Sequence, residues 1–140
     1  DETLQKTNAG LWVVDDIINV ERSMKLNGRL DGHIVQGHID GTGICMNRVD
    51  MKGSVEFTFQ YDEKFAPLII EKGSICVNGV SLTAFNVTDN SFTVAIIPYT
   101  FSHTNFNCLQ KSDVVNLEFD VLGKYVARIV GLNKAEGRLN

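Results

Sequence analysis

No run of this chain approaches the ~18 consecutive apolar residues of a membrane-spanning helix, which excludes a helical membrane protein. Cysteine is scarce: Cys45, Cys76 and Cys108 stand 31 and 32 residues apart, with no C-x-x-C pair. An odd count without a pattern excludes a disulfide framework and a zinc site, and points to reduced thiols in a cytoplasmic protein. The three histidines do not restore a metal reading. His33 and His38 are five residues apart, a spacing that on a strand puts them on opposite faces. A basic patch is missing as well. Thirteen Lys and Arg are scattered from Lys6 to Arg138 against seventeen Asp and Glu, a net charge of −4. That balance excludes a nucleic-acid footprint. The polar start, Asp1 to Asn8, is no signal peptide and carries no Met, so a preceding segment is expected.

What is present reads as one globular domain with a small appendage. Of the 140 residues, 44% are hydrophobic and 21% charged, a composition that excludes disorder. The period is mainly that of strands. Val55, Phe57, Phe59 and Tyr61 alternate with polar residues over Ser54 to Tyr61, giving one buried and one wet face. Ser74 to Val77 and Val80 to Val87 flank Asn78-Gly79, a dipeptide that suits the positive φ of a type I′ hairpin turn. Thr88-Asp89-Asn90 turns the chain into Phe92 to Ile97, which Pro98 should end because it has no N–H for the ladder. Leu11 to Glu21, His33 to Met46 and Val114 to Phe119 also read as strands. Short strands between turn signals favour a sandwich or a closed barrel. Glu63 to Leu68 reads as a single helical turn. After Asp120, Leu122, Tyr125, Val126, Ile129 and Val130 follow helical spacing.

An internal repeat runs through the chain. Thr3 to Glu21 aligns without a gap on Thr100 to Glu118, 97 residues later, and six of nineteen positions are identical. Repeats of this kind imply a preceding copy of the same unit, so about 65 residues of a first barrel are expected upstream of Asp1. On that reading the chain is a fragment.

Four blocks carry a resemblance: GHIVQGHIDGTG (Gly32 to Gly43), KGSICVNGVSLT (Lys72 to Thr83), IIPYTFSHTNF (Ile96 to Phe106) and VNLEFDVLGKYVAR (Val115 to Arg128). Each alone is unspecific. In this order, and with the repeat, they resemble riboflavin synthase over essentially the whole chain. The resemblance implies an all-β fold: a six-stranded antiparallel Greek-key barrel with a C-terminal α-helix. It divides the chain into the end of a truncated first lumazine-binding barrel with its linker (1–31), a second such barrel (32–120) and a trimerisation helix (121–140). It implies dismutation of two 6,7-dimethyl-8-ribityllumazine molecules to riboflavin and 5-amino-6-ribitylamino-pyrimidinedione. Neither cofactor nor metal is implied. The intact protein would be a homotrimer, with lumazine synthase as a further partner.

One lumazine must lose a proton from its C7 methyl group while the other accepts a nucleophile. Two flat substrates must therefore be held face to face, with neutral-range proton transfer and hydrogen bonds to ring carbonyls. The resemblance assigns catalysis to His38, Ser81 and Asp120. It assigns substrate binding to Gly37, His38, Ile39, Lys72, Ser81, Leu82, Thr83, Ile96, Ile97, Pro98, Tyr99, Thr100 and Phe101. Simpler readings stand beside these. Ser81 and Thr83 share one strand face, which could simply be solvated. Lys72 could be a solvated turn lysine and His38 a hydrogen-bonded structural residue. Asp120 precedes a helix, where an N-cap is the ordinary role, although one carboxylate can cap and also act on substrate. Ala84 departs from the family pattern, in which a bulkier residue follows S-L-T. The alternative to an enzyme is a non-catalytic lumazine- or flavin-binding protein of the same fold.

Overall fold

The computed structural model describes residues 1–135. A short helix, α1 (Glu2–Lys6), and a 3-10 turn (Asn8–Leu11) precede a long irregular stretch. Six strands follow: β1 (Gly41–Met51), β2 (Ser54–Gln60), β3 (Ser74–Val77), β4 (Val80–Phe85), β5 (Ser91–Ile96) and β6 (Val114–Phe119). Helix α2 (Pro98–His103) lies between β5 and β6, and α3 (Val121–Ala135) follows the last strand. All pairings are antiparallel, and the strands close into a barrel in the order β1-β2-β5-β4-β3-β6. The expected six-stranded barrel with its C-terminal helix is therefore present. Residues 136–140 of the expected helix lie outside the described residues.

The alternation in β2 does what its period demands. Phe57 and Phe59 are fully buried, together with Phe92, Phe106 and Phe119. Phe106 meets Phe57 edge-on at 5.4 Å between centroids, an arrangement favoured by the ring quadrupoles. Phe106 comes from the 3-10 turn Asn105–Asn107, so the segment after α2 plugs the barrel. The hairpin between β3 and β4 turns on Asn78 (φ 49°) and Gly79 (φ 82°), the positive angles a type I′ turn needs.

Several expected boundaries move. Leu11 to Glu21 is not a strand, and His33 to Met46 becomes one only from Gly41 onward, continuing to Met51. Apolar alternation makes an extended segment, but a strand needs a ladder partner, and 12–39 has none among the described residues. His33 and His38 therefore do not sit on two faces of one strand. β4 stops at Phe85 because Asn86 turns with φ 50°. Pro98 ends β5 as expected but also begins α2 at its first turn, where a missing N–H costs nothing.

α3 leans on the barrel through one ion pair. Lys124 Nζ lies 2.7 Å from Asp40 Oδ2, and the same carboxylate accepts the Phe119 N–H at 2.8 Å. No described helix is long and apolar enough to cross a membrane.

Candidate functional site

On the outer face of β4, a groove of about 620 Å³ opens beside Ser81 and Thr83. The strand's period of two brings both hydroxyls to this side while Ala84 points into the core. Lys72 reaches the groove from the turn before β3. Its backbone is in the left-handed region (φ 61°), and its N–H donates to the Ala84 carbonyl at 2.9 Å. Its ammonium sits 5.1 Å from the centre of the Phe85 ring, within cation–π range. Ser74, Ala95, Ile97 and Thr100 complete the far wall.

The near wall is the segment Asp31 to His33. Ser81 Oγ accepts the His33 backbone N–H at 3.3 Å and lies 2.8 Å from His33 Nδ1. The serine oxygen keeps a second lone pair and its own O–H, so it can accept from or donate to Nδ1 according to the imidazole tautomer, and the other ring nitrogen is Nε2. That nitrogen is buried and finds no partner among the described residues. A hydroxyl and an imidazole at this separation can pass a proton between them. The close approach depends on Gly32: a Cβ there would lie 2.6 Å from Ser81 Oγ, so any other side chain would push the segment off the serine.

Neither Glu118 nor Asp120 lines the groove. Glu118, 2% exposed, accepts the Gln36 N–H at 2.7 Å through Oε1. Asp120 accepts the Leu122 N–H at 2.9 Å and so caps α3. Cys76, paired with both Ser81 and Glu118 in the sheet register, is fully buried. Burial first, and the Glu118 charge second, push its thiol up to about 12. It stays protonated at neutral pH and is no nucleophile.

Of the residues expected to bind substrate, Lys72, Ser81, Leu82, Thr83, Ile97 and Thr100 come together here. The rest lie elsewhere. Ile96 is fully buried in the core and Phe101 packs against it under the Arg48 guanidinium. Pro98 opens α2, and exposed Tyr99 stacks on His103 at 4.1 Å. Gly37 (φ 76°) and His38 are exposed on the loop before β1. Ile39 lines a different groove, beside the amino-terminal segment. Sequence reasoning missed His33. The signal was available: the first block holds two Gly-His steps, Gly32-His33 and Gly37-His38, and only the first lands on the S-L-T strand.

No group of three or more metal-ligating side chains occurs among the described residues. The riboflavin synthase of Actinobacillus pleuropneumoniae is 42% identical over 129 residues, which is 92% of this chain and 60% of that protein. The riboflavin synthase of Brucella abortus is 37% identical over 134 residues, 96% of this chain and 66% of that protein. The chain thus spans 60% and 66% of the length of these curated relatives. Among solved structures, LumP complexed with riboflavin superposes with a TM-score of 0.77 at 22% identity, over 85% of this chain and 65% of the other. LumP complexed with 6,7-dimethyl-8-(1'-D-ribityl) lumazine gives 0.75 at 19% identity, over 84% and 63%. Those likenesses show the barrel alone. The lumazine binding domain model matches residues 36–120, from the loop over Glu118 to the cap of α3, and on that match the chain belongs to the lumazine-binding domain family.

Proposed function

We propose that this chain is the second-barrel portion of a riboflavin synthase, which forms riboflavin and 5-amino-6-ribitylamino-pyrimidinedione from two molecules of 6,7-dimethyl-8-ribityllumazine. The observation that carries the reading is the convergence of Lys72, Thr83 and the Ser81–His33 pair on one groove. A lumazine ring offers carbonyls to an ammonium and a hydroxyl, and a flat face to apolar Ile97. The Ser81–His33 pair adds a proton-transfer couple that a carrier of chromophores does not need. We retain His38 and Asp120 as proposed catalytic groups of the complete two-substrate site, not as ligands of this groove.

The finer assignments belong to the same proposal. Residues 1–31 would be the end of a first barrel with its linker, 32–120 the second barrel and 121–140 an assembly helix. A homotrimer is supported by the exposed apolar side chains of α3, among them Leu122, Tyr125, Val126 and Ile129. Three unpaired cysteines suit a cytoplasmic setting, where lumazine synthase would be a further partner. No cofactor enters the proposed reaction.

Ligand titration tests the groove. Thr83→Ala removes one oriented hydrogen bond, so affinity for the lumazine, read by fluorescence quenching, should fall by about 1 kcal/mol, or roughly fivefold. Unchanged affinity in both Ser81→Ala and Thr83→Ala would place the ligand elsewhere.

A further inference from the structure

Segments 3–21 and 100–118 repeat in three dimensions. Thr7 Oγ1 donates to the Thr3 carbonyl at 2.7 Å, and Thr104 Oγ1 donates to the Thr100 carbonyl at 2.7 Å. The Val13 N–H donates to Asp16 Oδ2 at 2.8 Å, as the Gln110 N–H does to Asp113 Oδ2 at 2.8 Å. Asp15 and Ser112 both turn in the left-handed region, at φ 78° and 77°. Every pair is 97 residues apart.

The contacts between the two segments are reciprocal as well. The Asn8 N–H donates to Asn116 Oδ1 at 2.7 Å, and the Asn105 N–H donates to Asn19 Oδ1 at 2.8 Å. Asn8 Nδ2 donates to the Val114 carbonyl at 2.8 Å, and Asn105 Nδ2 to the Ile17 carbonyl at 3.4 Å. Asn8 corresponds to Asn105, Asn19 to Asn116 and Ile17 to Val114. Exchanging the two segments therefore maps these four bonds onto one another, which is the signature of a local two-fold axis, while the bond from Asn19 Nδ2 to Asn105 Oδ1 at 3.0 Å stands without a counterpart.

We infer that Asn8, Asn19, Asn105 and Asn116 are positioning residues: a two-fold clamp that sets how a second barrel, carrying residues 3–21 at its end, is oriented against this one. Two further observations name that occupant. Val115 and Leu117 are fully buried inside the barrel, whereas their equivalents Ile18 and Val20 are 45% and 89% exposed. Strip 17–21 thus presents the core-facing residues of a last barrel strand. In addition, Asn19 Nδ2 donates to the Asn78 carbonyl of the β3–β4 hairpin at 2.8 Å. The equivalent Asn116 Nδ2 has no partner among the described residues, and a two-fold mate would present the carbonyl of its own hairpin turn there. The inference rests on the two-barrel reading above and specifies the contact that sets the angle between its halves.

Amide hydrogen exchange on this chain reads the clamp without any ligand. The Asn8 and Asn105 amides should be protected, and Asn19→Ala and Asn116→Ala should each speed exchange at both by about tenfold or more, with the β2 and β5 amides unchanged. Asn116→Asp keeps an oxygen for the Asn8 N–H and should keep its protection. Free exchange at Asn8 in the unaltered chain, or loss confined to the directly bonded amide, would overturn the clamp. In a chain extended by the first barrel, Asn116→Asp replaces the Nδ2 donor with a charged acceptor and keeps the oxygen for Asn8. There kcat for riboflavin formation should fall about tenfold with KM unchanged, since misorientation acts on the transition state. Equal kcat would overturn the assignment to the second barrel. Failure of the clamp would leave the Thr83→Ala titration unaffected, and absence of ligand binding would leave the exchange result standing, so the two readings fail separately.

Discussion

His33 Nδ1 lies 2.8 Å from Ser81 Oγ, joining residues 48 positions apart in the chain. The contact makes the segment before β1 one wall of the groove on β4, and it distinguishes two histidines that the sequence presents as equals. His33→Ala should weaken lumazine binding by about 1 kcal/mol. His38→Ala should leave the affinity of this chain within about twofold, because its ring lies outside the groove. Parallel quenching titrations of the two variants check this, and a larger loss at His38 would put the glycine-hinged loop over the ligand.

Turnover is the next expectation. On the proposed reading one groove would hold one lumazine, while the proposed reaction needs a lumazine that loses a proton and one that accepts a nucleophile, held together. Lost orientation raises a barrier by several kcal/mol, and each ~1.4 kcal/mol is tenfold in rate. This chain alone should form riboflavin very slowly or not at all, and adding a first barrel should restore formation. Riboflavin absorbance followed over time decides it. Rates near those of the extended protein from this chain alone would remove the need for a second barrel.

The thiols should respond to a disulfide reagent in a fixed order. Cys108 is exposed, while Cys45 and Cys76 are buried. Burial chiefly pushes both buried thiols up, with Asp113 adding to the effect at Cys45 and Glu118 at Cys76. At pH 8 the native chain should release one equivalent quickly, and the unfolded chain three. The same shift links stability to alkaline pH. An unfolded Cys76 thiol ionises near its ordinary 9.0, and the folded one only near about 12. The stabilisation is thus complete below pH 9.0 and is lost as the pH rises toward about 12. Denaturant titrations from pH 8 to 11 should show a falling midpoint, and Cys76→Ala should flatten that fall.

Asp40 should matter more than its ion-pair partner. Lys124→Ala removes a partly exposed pair, worth under about 1 kcal/mol. Asp40→Ala also strips the acceptor from the buried Phe119 N–H, which costs roughly 1–3 kcal/mol. Urea unfolding of the two variants compares them, and equal losses would mean that the backbone contact contributes nothing.

The strands that read most clearly in the sequence are those whose partners lie close by or whose period is strict. Ser74 to Val77 and Val114 to Phe119 fall on the observed strands residue for residue, and Glu63 to Leu68 on the observed 3-10 turn. Leu11 to Glu21 carries a strand-like apolar pattern but is no strand, because nothing among the described residues forms a ladder with it. Helix α2 was hidden behind Pro98, which ends one element and begins the next with the same missing N–H. At the site, Ser81, Thr83 and Lys72 were legible because a two-residue period and a turn fix their direction. His33 was not, since its place depends on a hydrogen bond to a strand 48 residues away and on the absence of a side chain at Gly32.

Barrel closure has a kinetic consequence. The hairpins β1–β2 and β3–β4 join neighbours in sequence, but the seam that shuts the barrel pairs Gly41 with Leu117, 76 residues later. Contact order of that kind slows folding, because loop entropy must be lost before the distant pair is made. A nascent chain can form both hairpins and still expose Phe57, Phe59 and Phe92 until β6 emerges and arrives. Refolding should therefore be slow, on the order of milliseconds to seconds, with the open-sided barrel as the species most prone to aggregate.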